Sequence, residues 1–99
     1  MTNVCFFNEM SSKIGNGSIK DFLSDKVTYD KDKVAKYLNN GHKFASCPKV
    51  AIDCVTGQRI ADSFSIFDDG EFCWCSYLPY HIKKYNIKLP KAFLEKIGA

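Results

Sequence analysis

Ninety-nine residues, 45% hydrophobic and 25% charged, make one domain with a small core and exclude disorder as a description of the whole chain. The net charge of +3 runs basic, acidic, basic: eight Lys against six acids over residues 1–55, Arg59 against Asp62, Asp68, Asp69 and Glu71 over 56–75, and five Lys against Glu95 over 76–99. No Lys/Arg run forms the sharp stripe usual in nucleic-acid binders, and no stretch approaches the roughly 20 apolar residues of a membrane span.

The first residues, Met1 to Glu9, lack the basic leader and apolar run of a secretory signal. A cytoplasmic protein is therefore expected, with its five cysteines (5, 47, 54, 73 and 75) reduced and packed as small thiols.

Residues 1–17 are weakly patterned; Val4, Phe6 and Phe7 suggest a short strand or packed arm, and Gly15-Asn16-Gly17 a turn. Ser18 is positioned to cap a short helix whose Ile19, Phe22 and Leu23 share a face. The next helix has stronger signals. Asp30 is its expected N-cap, Tyr29 and Val34 stand at the two positions of a hydrophobic staple, and Asn39-Asn40-Gly41 supplies the stop.

From Phe44 to Cys75 the period shifts toward two. Val50, Ile52 and Cys54 alternate with Ala51, Asp53 and Val55, Thr56-Gly57-Gln58 turns the chain, and Ile60, Phe64 and Ile66 share one side of a second strand. Asp68-Asp69-Gly70 turns it again into a third, where Phe72 and Trp74 face one way and Cys73 and Cys75 the other. Asp62 falls in step with Ile60 and Phe64, which implies either a buried acid with a partner or, as favoured here, a bulge. Ser76 is then expected to cap a helix starting at Tyr77, with Leu78, Ile82 and Tyr85 inward and an end at Lys88-Leu89-Pro90. Pro90 opens a last helix carrying Phe93, Leu94 and Ile97. The fold class expected is α+β: a small antiparallel three-stranded meander, about 44–75, packed against N-terminal and C-terminal helices in a single domain, 1–99.

No constellation demands a particular chemistry. Cys73 and Cys75 point the same way on a strand, and a suitable sheet register would bring Cys54 to them, but no C-x2-C pair occurs, so no metal or other cofactor is expected. His81 lies at the margin of an apolar helix face, where a packed, hydrogen-bonded imidazole is commoner than a catalytic base. Lys83, Lys84, Lys88 and Lys91, with Tyr77, Tyr80 and Tyr85 nearby, offer phosphate and stacking contacts to a nucleic acid, yet at the intervals of an ordinary wet helix face.

The pattern Tyr37-Leu38, Gly41, Thr56-Gly57, Asp69-Gly70-x-Phe72-x-Trp74, Leu78-x-Tyr80-x-Ile82-x-x-Tyr85-x-Ile87-x-Leu89-Pro90-x-x-Phe93 resembles small bacterial immunity proteins of polymorphic-toxin and contact-dependent growth-inhibition systems, over roughly residues 34–97. The resemblance implies a protein without catalysis that neutralises a cognate toxin C-terminal domain by stoichiometric binding. Many such toxins are nucleases, and their immunity partners often present an acidic face. By electrostatics and expected exposure, the toxin-binding residues would be Asp62, Asp68, Asp69, Glu71, Tyr77 and Tyr80. The alternative reading is a small nucleic-acid-associated regulatory protein using its basic C-terminal helices.

Overall fold

A computed structural model describes residues 2–10 and 15–99; Met1 and residues 11–14 of the weakly patterned N-terminal stretch lie outside the described residues. Helix α1 (Lys31–Asn39) forms as the caps require. The Asp30 carboxylate accepts the amides of Asp32 and Lys33 at 3.0 and 3.1 Å, which answers two of the orphan donors of the first turn. Val34 and Leu38 are fully buried. The helix stops at Asn40, and Gly41 sends the chain directly into strand β2 (His42–Cys47). Gly41 is there for space. A Cβ at this position would stand 2.6 Å from the Trp74 ring and 3.2 Å from Cβ of Phe67. Gly41→Ala should therefore lower stability by about 1–3 kcal/mol through overpacking, read as a reduced denaturation midpoint.

The architecture is α+β. Among the described residues there are three α-helices, a mixed four-stranded sheet of order β1-β6-β5-β2 and a separate two-stranded ribbon β3-β4. The sheet contains β1 (Thr2–Asn3), β5 (Phe64–Asp68) and β6 (Phe72–Cys75) besides β2, and the ribbon consists of β3 (Ala51–Ile52) and β4 (Arg59–Ala61). The hairpin at Asp68-Asp69-Gly70 forms as expected, with Phe67 opposite Trp74 and Ile66 opposite Cys75.

The rest of the expected meander is corrected. Its first sheet strand is 42–47, which pairs with β5, while the period-two stretch around Ala51 and Ile52 folds back on β4 alone. The cause is local. The Asp53 amide donates to the Gln58 carbonyl, the Gly57 amide to the Asp53 carbonyl, and the Asp53 carboxylate accepts the amides of Val55 and Thr56. These bonds close a tight loop within two residues of β3, so the ladder has no length in which to join the sheet.

The strand expected across 59–66 breaks at the same place. β4 ends at Ala61, β5 begins at Phe64, and Asp62 between them is 89% exposed and paired with Arg59 at 3.2 Å. The chain changes ladders there, so the irregularity is a break, and Asp62 is not a buried acid.

β1 adds a short parallel edge beside β6. The arm that follows, Val4 to Phe7, is buried and runs through Cys5 at a left-handed φ of 53°, a conformation uncommon outside glycine. One hydrophobic core results. Phe72 and Trp74 pack against Phe93 of α3 (Lys91–Ile97), with ring centroids 4.9 and 5.6 Å apart, and Tyr37 of α1 packs on Trp74 at 6.1 Å. At the other end Phe7, Phe64, Tyr77 and His81 form a second aromatic contact chain within the same core.

Helix α2 (Leu78–Lys84) is shorter at both ends than its sequence signals suggest. Its N-cap residue is Tyr77, without a side-chain cap, because the Ser76 hydroxyl accepts the Ser65 amide at the end of the sheet. It ends at Lys84, since Tyr85 is extended and residues 86–88 bond to 22–24: Ser24 N–H to the Asn86 carbonyl and Lys88 N–H to the Phe22 carbonyl. A single 3₁₀ turn at Ile19–Asp21, capped by Ser18, stands where the short N-terminal helix was expected.

Candidate functional site

Three of the six residues expected to meet a toxin converge at the β5–β6 turn. Asp68 accepts the Gly70 amide, and Asp69 accepts the amides of Glu71 and Phe72 at 2.9 and 2.7 Å. The turn is not a bare acidic tip. The Asp69 side chain is only 10% exposed; the Tyr37 hydroxyl donates to it at 2.7 Å, and the Lys96 ammonium bridges it and Glu71 at 3.3 and 3.2 Å.

Burial pushes the Asp69 carboxyl up, but the Phe72 amide, the Tyr37 hydroxyl, the Glu71 amide and Lys96 outweigh it and hold it below the usual carboxylate range. Burial in turn, followed by the bond to Asp69, pushes the Tyr37 phenol up to about 12. Asp68 contacts His42 Nδ1 at 3.3 Å. An open cleft of about 320 Å³ lies over this turn, lined by Tyr37, Asn40, Gly41, His42, Asp68 and Asp69.

The other three expected residues do not join this cluster. Asp62 is tied to Arg59 at the ladder switch. Tyr77 is 3% exposed and offers no surface, because it precedes α2 at the point where the chain leaves the sheet and packs edge-on against Phe64. The Tyr80 hydroxyl donates to Asp53 at 2.7 Å.

Asp53 is the residue that inspection of spacing missed. It is 0% exposed and collects six donor contacts: the Val55 and Thr56 amides, the Tyr80 hydroxyl, the Tyr85 hydroxyl to both oxygens, and Lys84 Nζ at 3.2 Å. Burial raises its carboxyl, yet the two tyrosines and the two amides prevail and hold it far below its ordinary value. One signal was available: Tyr80 and Lys84 stand four apart on one helix, as a shared anionic partner requires.

Beside Asp53, His81 is also fully buried. The Cys54 amide donates to its Nε2 at 2.9 Å, so the proton sits on Nδ1 and is donated to the Tyr77 carbonyl at 2.7 Å. Burial depresses its pKa, and the ring is the packed, neutral imidazole that its position on the helix suggested.

All five cysteines are free. Burial pushes the Cys5 and Cys54 thiols up to about 12 and Cys75 up to about 11, well above the range of a thiolate nucleophile at neutral pH. Among the described residues no three of His, Cys, Asp and Glu are arranged to hold a metal ion, and no helix is long and apolar enough to cross a membrane.

The outside has its own pattern. Among the described residues three large apolar side chains are exposed, Phe44 at 47%, Val50 at 40% and Val55 at 47%, and these fall within residues 44–55. Phe44 lies on β2, the six-residue strand at one margin of the sheet. The register against β5 slips between Lys43 and Ala45, which leaves Phe44 as the extra residue of a bulge. The cleft over the acidic turn meets this strand at His42, which belongs to both.

Against family models, curated proteins and solved structures, the chain has no match.

Proposed function

We propose that this chain is an immunity protein, a cytoplasmic stoichiometric inhibitor that binds a cognate toxin C-terminal domain, of nuclease type, and blocks it without chemistry of its own. The observation that carries this reading is the contrast between inside and outside. The groups with chemical capacity are engaged within the fold: Asp53 and Asp69 by hydroxyls, amides and lysines, His81 by two backbone groups, and four thiols by burial. The exterior instead carries exposed Phe44, Val50 and Val55 beside a strand margin that has no strand partner among the described residues, a distribution suited to recognising another protein.

The resemblance to immunity proteins agrees with this at the level of scaffold. Its positions Gly41, Asp69, Trp74, Ile82 and Phe93 serve the core or a turn. Asp53 is paired with Lys84 and Asp69 with Lys96, so each pair is neutral and the remaining charges keep the net +3. For a nuclease toxin, this favours docking beside the phosphate-binding site rather than within it.

Co-expression with the toxin domain encoded immediately upstream tests the reading. The expected result is a one-to-one complex and survival of cells that the toxin alone kills. A chain that neither binds nor protects, or that turns over a substrate unaided, overturns it.

The nucleic-acid alternative keeps exposed Lys83, Lys88 and Lys91, but Tyr77 is buried and Tyr80 and Tyr85 have their hydroxyls on Asp53. Of the three rings only Tyr80 and Tyr85 remain part-exposed, and Lys84 Nζ stands over both at 5.5 and 5.6 Å, which reduces the stacking surface this reading requires. A steep loss of RNA or DNA affinity between low and moderate salt would restore it.

A further inference from the structure

We infer that the free margin of β2 is a docking site for an extended, acidic segment of a partner protein, which adds to the sheet as a fifth strand beside β2. The inference rests on the protein-binding reading above and names the surface and the chemistry of what it takes.

Three observations converge on this margin. β2 is the longest strand at six residues, and it pairs with β5 on one side only. Among the described residues, none of the backbone bonds outside the ladders and helices involves residues 42–47, so the outward amides and carbonyls of this strand are available to another chain. The bulge at Phe44 sets a large apolar side chain, 47% exposed, in the middle of that margin, as an anchor for alternate side chains of an added strand. The third observation is charge. Residues 42–50 carry Lys43 and Lys49, both exposed, and no acid.

The same charges select the occupant. A second copy pairing β2 with β2 would gather Lys43 and Lys49 from both chains with no counter-charge in the segment, and like charges brought opposite across a strand pair are destabilising. Lysines and bulges on a margin are among the devices by which sheets resist pairing with themselves. An extended segment with an acidic residue toward each end, and apolar β-branched residues between, meets both lysines and lays its apolar positions against Phe44. The margin is thereby closed to its own kind and open to a complementary strand.

The test uses a labelled nine-residue peptide of alternating Thr and Val with Glu at both ends, and its Lys-ended counterpart, titrated into the full chain by fluorescence anisotropy. The Glu-ended peptide should bind at least about ten-fold tighter, a difference of the size expected for interfacial charge complementarity. On binding, the amides of residues 42–47 should become slower to exchange with solvent. N-methylation of alternate peptide residues should abolish binding in one register and spare it in the other, which only main-chain pairing predicts. Phe44→Ser should weaken the peptide by about ten-fold, as loss of a buried anchor does, with the melting temperature unchanged.

Equal affinity for the two peptides, no saturable binding, or binding without protection of 42–47 would overturn the inference. So would a dimer in sedimentation whose 42–47 amides are already protected without peptide, since the margin would then belong to a second copy. In a complex with the toxin domain, protection elsewhere while 42–47 stays open defeats the strand-addition mode and leaves the immunity reading standing. Peptide binding with no affinity for the toxin does the reverse.

Discussion

Trp74→Ala is expected to remove about 3–5 kcal/mol of stability. The indole is 0% exposed. It packs on Phe93 and Tyr37 and fills the space that Gly41 leaves open, while its N–H donates to the Leu38 carbonyl at 3.1 Å. Alanine would leave a cavity between α1, α3 and the sheet and remove one of the donors to the Leu38 carbonyl, which keeps the Gly41 amide, so transfer, cavity and hydrogen-bond losses have the same sign. Domains of this size have about 5–15 kcal/mol in total, so the variant should be close to unfolding. Each kcal/mol lost lowers the midpoint of a domain this size by about 4–8 °C. Trp74→Phe restores part of the volume without the N–H and should fall between. A melting temperature unmoved in both variants would place the indole outside the core.

Asp53→Asn should cost about 3 kcal/mol, because hydrogen bonds to a charged acceptor are worth about 1.5–3 kcal/mol each and here the two hydroxyls and the ammonium all lose that charge together. The Lys84 side chain is 46% exposed and can return to water, which keeps the loss below that of a fully buried broken pair.

The pH dependence follows from the direction of the shift. The folded carboxyl sits below its unfolded value of 3.8, so its contribution is fully present above pH 3.8 and is lost as pH falls below it, where the unfolded chain binds the proton first. His81 acts higher on the scale with the same sign. Its folded pKa lies below 6.5, so the neutral imidazole adds stability that declines as pH falls below 6.5. Denaturation midpoints across pH should show the parent losing stability in both windows. The difference between parent and Asp53→Asn should narrow only in the lower one, and a difference constant down to the acid limit would show that Asp53 is not the charged centre of its cluster.

The parts of this fold legible from residue order are those whose causes lie within a few positions. Asp30 answers the first amides of α1, and Asn39-Asn40-Gly41 ends the helix. Asp68-Asp69-Gly70 closes a hairpin through bonds no more than three residues long, and Pro90 opens α3. His81 as a packed imidazole was also readable, from its position on the helix.

The candidate site was much less legible, because exposure depends on partners far along the chain. The acidic turn looks solvated until Tyr37, 32 residues away, and Lys96 from α3 are folded onto it. Tyr80 looks free until Asp53, 27 residues away, takes its hydroxyl. Phe44 lies at the edge of the period-two stretch, and nothing near it in sequence says that the strand around it ends a sheet.

Residue order by itself determined where α1, α2, α3 and the β5–β6 hairpin form, though it also suggested a helix over 19–23 that is a single 3₁₀ turn, since caps, turns and apolar spacing act over short distances. Only tertiary structure decided that residues 51–61 form a ribbon apart from the sheet, that β1 runs parallel beside β6, and that β2 is left as an open margin. The physical reason is that strand pairing and burial of charge are contests among distant segments, settled by which partner satisfies the most backbone and carboxylate groups at once.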